Sequence, residues 1–169
     1  GRISPHSIEA EEGVLGCMLI NSESIPKAIQ LLDSKSFYST NHSIIFENMV
    51  ELFDNNKSID YISLTEQLKK NKQLKNVGGS YFITGLSNNA PAAHNVEYYA
   101  QIVKEKEILR RIISVAVDIS TEAYESQEDA TNILDKAEQV LFNVSQDVQK
   151  GRFKEIEPIL HEVLDIWGN

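Results

Sequence analysis

The residues that could do chemistry in this chain of 169 are four histidines, one cysteine and 25 acidic side chains. His6, His42, His94 and His161 stand far apart in sequence. His161 and Asp165 lie one helical turn apart, a spacing two metal ligands can use. Two such residues are far more often solvated polar groups, which leaves a small helical hydrolase with a metal at His161 as a minor rival. Cys17 falls on an apolar stripe with no positive charge beside it in sequence, the pattern of a buried structural thiol. Glu9, Glu11 and Glu12 read as acids in the early turns of a helix, where the backbone dipole favours them. No Gly-x-Ser-x-Gly elbow occurs. No Gly-x-x-x-x-Gly-Lys-Ser/Thr loop occurs either, and Gly78-Gly79-Ser80 is not followed by lysine. The expectation is no catalytic, cofactor-binding or metal-binding residue, and no enzyme in this stretch of chain.

Composition narrows the class further. A chain of this length buries roughly 70% of its unfolded surface and needs no disulfide. Apolar residues make up 41% and charged residues 24%, which is globular and not disordered. A single cysteine excludes an internal disulfide and points to a reducing, intracellular setting. No run of 18 apolar residues is present, so no membrane span is expected. The start, Gly1-Arg2-Ile3-Ser4-Pro5, lacks a signal-peptide core. Net charge is −9, from 16 Lys and Arg against 25 Asp and Glu. That field opposes a grip on nucleic acid.

The elements that must carry these residues are helices. Strand-like alternation is rare, while apolar spacings of three and four recur throughout. A first helix is capped by Ser7 and carries Ala10, Val14 and Cys17, widened by Leu15, Met18 and Leu19. Asn21 to Ser24 breaks it and caps a second helix with Ile25, Ile29 and Leu32 facing inward. A third runs over about 40–55 on Ile45, Met49, Leu52 and Phe53. Ser63-Leu64-Thr65-Glu66 has the form of a capping box and predicts a fourth over 64–72. Gly78-Gly79 makes a turn before a fifth helix around Tyr81, Phe82, Ile83 and Leu86. Lys69, Lys70, Lys72 and Lys75 cluster at the end of the fourth. They either complement the helix C-terminus or touch nucleic acid.

From Asn95 the character changes. No Gly or Pro interrupts 96–124, and Ile102, Leu109, Ile112, Ala116, Ile119 and Ala123 form a narrow seam suited to helix pairing. After a polar turn at 126–129, a partner helix carries Ile133, Ala137, Val140, Leu141, Val144 and Val148. Two long helices joined by a short turn make a hairpin. The segment 121–147 holds seven acids and one lysine, which suits a basic protein partner better than DNA. A polar connector at 149–152 then precedes a last amphipathic helix starting near Pro158, with Ile159, Leu160, Val163, Leu164, Ile166 and Trp167. It either docks on another domain or subunit, or folds back on the hairpin. The chain is thus expected to be all-α: a helical head over 1–94, a helical hairpin over 95–148, and a connector and linker helix over 149–169.

Pro5-His6-Ser7-Ile8-Glu9-Ala10-Glu11, Val14-Leu15-Gly16, Gly78-Gly79-x-Tyr81-Phe82 and Asn95-Val96-Glu97-Tyr98-Tyr99-Ala100 together resemble the opening region of bacterial hexameric replicative DNA helicases of the DnaB type. The likeness continues through Leu109-Arg110-Arg111, Ala137-Glu138 and Val144-Ser145-Gln146, so it spans nearly the whole chain in order. The resemblance implies the front part of a longer enzyme whose ATPase motor, with ATP and magnesium, is absent from these residues. It also implies that heads and hairpins pair as dimers into a collar of six subunits. Ile102, Leu109, Ile112, Ala116, Val140 and Val144 would then serve subunit pairing by the hairpin. Ile159, Leu160, Val163, Leu164 and Trp167 would dock on a neighbour's motor.

The same resemblance implies recruitment of primase and of a helicase loader, with single-stranded DNA engaged only by the full ring. Glu9, Tyr81, Ile113 and Ile119 match positions that would face primase. Tyr81 and Ile113 could equally pack in the core, and Ile119 could serve the seam. The implied setting is a bacterial cytoplasm or a plastid-type organelle. The other rival is a self-standing helical nucleic-acid-binding protein.

Overall fold

A computed structural model describes residues 1–90 and 95–167, and for 151–163, 165 and 167 it describes the backbone alone. Among the described residues there are seven α-helices and no strand: α1 (Ile8–Ile20), α2 (Ser24–Leu31), α3 (Thr40–Asp54), α4 (Tyr61–Lys70), α5 (Gly79–Asn88), α6 (Val96–Glu125) and α7 (Ala130–Trp167). A short 3-10 turn sits at Ser34–Ser36. The chain divides into two compact units, Pro5–Glu107 and Ile108–Asn169 together with Gly1–Ser4. The expected border at 94 falls shortly before α6 and the one at 148 falls inside α7, whereas the compact units divide within α6.

In the first unit, the head, α1 is the central element, with α2, α3 and α5 packed on it. Its residues from Gly13 to Leu19 are all buried, so it is apolar nearly all round, as an enclosed helix must be. Val14, Leu15, Met18, Ile45, Phe46, Met49, Leu64, Leu68 and Ile83 form the core. Each fully buried side chain of this kind contributes about 1.5–3 kcal/mol. Two glycines on α1 permit the close approach of neighbours. A Cβ on Gly13 would come within 2.9 Å of the Tyr99 ring, and one on Gly16 within 2.6 Å of the Leu86 carbonyl. Cys17 is buried, and burial raises its thiol pKa, which keeps it an unreactive structural group.

Helix ends are set by side chains. Ser7 accepts from the Ala10 amide and starts α1 as its sequence predicts. The fourth helix starts earlier than the Ser63 box suggests. Asp60 caps it by accepting from the Ser63 amide at 2.8 Å, and the Ser63 hydroxyl accepts from the Asp60 amide in return. Ser63 is thus the far member of a box, not its cap. Nor does Ser24 cap α2, which it opens from inside; the Asn21 side chain accepts instead from the Glu23 amide. Asn56 closes α3 with φ 57°, and the Lys57 amide reaches the Leu52 carbonyl.

The second unit is the hairpin. Arg111 on α6 pairs with Asp147 on α7 at 2.7 Å, and Lys136 on α7 pairs with Glu122 at 3.3 Å. Moving up α6 from one pair to the other means moving down α7, so the arms run antiparallel. The connector expected at 149–152 is helical, and the separate helix expected from Pro158 is the end of α7. Gly151 costs a helix only about 1 kcal/mol, and Lys150, Arg152, Lys154 and Glu155 around it are good helix formers. Pro158 is the larger penalty at about 3 kcal/mol, and the helix formers that follow carry the backbone past it.

Candidate functional site

Two surfaces are candidates for function, one on each unit. The first is a cleft of about 640 Å³ on the head, walled by α1, α5 and the start of α6. Glu9, Glu12 and Gly13 line it from α1, Tyr81, Phe82, Leu86 and Asn88 from α5, and Tyr99 from α6. Glu9 and Glu12 lie one turn apart on α1 and so share a face. Tyr99 lies against Gly13, which makes that wall flat. Tyr81 is 92% exposed. It therefore does not pack in the core, the alternative its sequence left open.

Behind the cleft stands a buried hydrogen-bonded pair, Glu11 and His42. The Glu11 carboxylate is 1% exposed and accepts three hydrogen bonds: from the Tyr38 amide at 2.9 Å, from the Ser39 amide at 3.2 Å, and from His42 Nδ1 at 2.8 Å, with the last two on one oxygen.

 Two backbone amides and one imidazole thus converge on this carboxylate. Burial alone pushes its pKa up, but the His42 hydrogen bond, the two amides and the attraction of His42 outweigh that and hold it below the ordinary carboxyl value. His42 Nε2 lies 3.7 Å from Glu12, and its ring stacks on Phe82 with centroids 6.0 Å apart. Glu12 and Phe82 both line the cleft, so the buried pair braces its wall. Glu11 was expected to be an ordinary first-turn acid. The signal that could have marked it is its position, four residues before Leu15 and seven before Met18, on the apolar stripe. His42 likewise precedes Ile45 by three and Met49 by seven.

The second surface is the outer face of the hairpin. Leu109, Ile112, Ile113, Ala116 and Val117 follow the i, i+3, i+4, i+7, i+8 spacing of one helix face, and all are exposed. On α7, Leu134, Val140, Leu141 and Phe142 are exposed as well. Of the residues expected to pair subunits, Leu109, Ile112, Ala116 and Val140 are therefore uncovered within the chain, while Val144 is buried. Ile102 departs from expectation. It packs against the head core, because the first turns of α6 belong to the head.

Of the four residues expected to meet primase, Glu9 and Tyr81 come together in the cleft. Ile113, on the other unit, is exposed and so not a core residue, and Ile119 is half-buried. Lys69 pairs with Glu66 at 3.7 Å on the last turns of α4. Among the linker residues, Leu164 is exposed. Ile159, Leu160, Val163 and Trp167 lie outside the described side chains, as does His161, and His94 lies outside the described residues. Among the described residues no three potential metal ligands gather, and no helix is long and apolar enough to cross a membrane.

A helical head followed by a long helical hairpin defines the class as an all-α protein. Residues 3–105 match the family described as DnaB-like helicase N terminal domain, and the chain belongs to that family. Replicative DNA helicase DnaB of Geobacillus stearothermophilus is 37% identical over 164 residues, covering 97% of this chain and 36% of that protein. Replicative DNA helicase DnaC of Bacillus subtilis (strain 168) is 34% identical over 164 residues, with the same coverage of 97% and 36%. The chain thus spans about a third of the length of these curated relatives. The crystal structure of the N-terminal domain of DnaB helicase from Mycobacterium tuberculosis superposes with a TM-score of 0.79 at 27% identity, covering 83% of this chain and 99% of that one. The N-terminal domain of DnaB helicase from Helicobacter pylori, a structure concerned with its interactions with primase, gives a TM-score of 0.60 at 22% identity over 69% of this chain and 90% of that one. That second likeness speaks to the fold alone.

Proposed function

We propose that this chain is the assembly and recruitment module of a replicative DNA helicase. The hairpin pairs with a second copy, dimers build a ring of six, and the head cleft receives primase. A helicase loader acts on the same collar. Unwinding, with ATP and magnesium, belongs to a motor outside these residues, and single-stranded DNA is met by the complete ring in a bacterial cytoplasm or a plastid-type organelle. The end of α7 docks on a neighbour's motor.

The observation that carries this proposal is the row of exposed apolar residues on one face of the hairpin, Leu109, Ile112, Ile113 and Val117. Large exposed apolar patches mark contact sites. Recruitment by the cleft is supported by Tyr81, an exposed aromatic beside Glu9, since exposed tyrosines are frequent binding anchors. Titration of the chain with primase from the same source tests recruitment. Tyr81→Ala is expected to weaken binding by roughly 30-fold, the scale of a hot-spot residue, without changing the melting temperature. Unchanged affinity would overturn the assignment of the cleft to primase.

A further inference from the structure

We propose that the head cleft is a slot for one cationic side chain, a lysine or arginine on a partner segment. This rests on the proposal that the cleft meets a partner and adds the chemistry by which it does so. Two carboxylates, Glu9 and Glu12, line the cleft, and among the described residues no lysine, arginine or histidine does. Glu9 makes no ion pair among the described residues. Tyr81 and Tyr99 offer aromatic rings in the same space, and a cation over such a ring is attracted by its electrons. Phe82 and Leu86 supply apolar wall for the aliphatic stem that carries the charge.

Other occupants fit less well. An anion meets two carboxylates. A wholly apolar side chain strips water from Glu9 and Glu12 and gives nothing back. A cationic head on an apolar stem satisfies both kinds of wall. The slot is also braced. His42 holds Glu12 on one side and stacks on Phe82 on the other, and Glu11 fixes His42 from within the core. Glu11 and His42 are positioning residues, and Glu9, Glu12, Tyr81 and Tyr99 make the contact.

The test is a titration of the full chain, followed by amide and aromatic NMR, with N-acetyl-arginine amide as probe and N-acetyl-norleucine amide as its neutral counterpart. The arginine probe is expected to give saturable shifts at Tyr81, Gly85 and Tyr99. Affinity should fall about tenfold in the Glu9→Gln, Glu12→Gln double variant, the combined scale of two partly exposed ion pairs. The norleucine probe should give none. Equal shifts from the two probes, no shift from either, or unchanged affinity in the double variant would overturn the slot. Primase titration of Tyr81→Ala separates the two proposals. If it loses primase while the arginine probe fails, the slot is wrong and the partner site stands. If the probe binds as expected but Tyr81→Ala keeps primase, the slot stands and the partner is something else.

Discussion

Phe46 on α3 is 1% exposed, while Phe142 on α7 is 57% exposed, although both are phenylalanines on amphipathic helices. The difference belongs to the two units and not to the residues. The head wraps α1 with other helices and buries a core of apolar side chains within one chain. The hairpin has two layers at most, so one arm can cover only one face of the other. Leu109, Ile112, Ile113 and Val117 are left for something else to cover. The head buries a core of its own, whereas the hairpin leaves a row of apolar side chains exposed.

The largest test of that contrast is a matched pair of truncations. Phe46→Ala is expected to cost about 3–5 kcal/mol in chemical denaturation, the scale of an emptied aromatic site in a core. Phe142→Ala, measured at a concentration low enough to keep the chain monomeric, should cost well under about 1 kcal/mol, as an exposed position does. Similar losses at the two positions would break the comparison, because Phe142 would then be packed within its own chain.

A smaller effect sharpens the comparison on the head's side, at its buried Glu11–His42 pair. Removing one partner of a buried pair costs about 3–5 kcal/mol, so Glu11→Ala should approach about 3 kcal/mol, near the lower end of the core truncation. Its pH dependence identifies the cause. The folded-state pKa of Glu11 lies below its ordinary 4.5. The carboxylate therefore contributes stability that is full above about pH 4.5 and is lost as the pH falls through the folded value. Denaturation of both proteins across the acid range should show the gap between them closing as pH drops. A gap that stays constant would mean that Glu11 acts by shape and not by charge.

The head was largely legible in the sequence because its helices carry clear apolar periods. Ser7, the stripe from Ala10 to Leu19, and the stop at Asn55-Asn56 are local signals, and each stands where its residues put it. The start of α4 was less legible, since Asp60 and Ser63 both have capping side chains and only the three-dimensional path chooses between them. The run of α7 through Gly151 and Pro158 set weak local breakers against long helical flanks. The cleft was legible only in part. Glu9 and Tyr81 come from a resemblance, but their meeting in one cavity, and the Glu11–His42 brace behind it, depend on how α1, α3 and α5 pack. Contacts between residues 31 apart leave no periodic trace in the sequence.

Under the proposed function, a second copy covers the hairpin's apolar face. Sedimentation equilibrium of the chain over a range of concentrations tests it directly, alongside the Ile112→Glu, Val140→Glu variant. The chain is expected to associate reversibly into dimers or larger rings, and the variant to stay monomeric with unchanged helical circular dichroism. A chain that stays monomeric at every concentration, or a variant that associates as before, would contradict it.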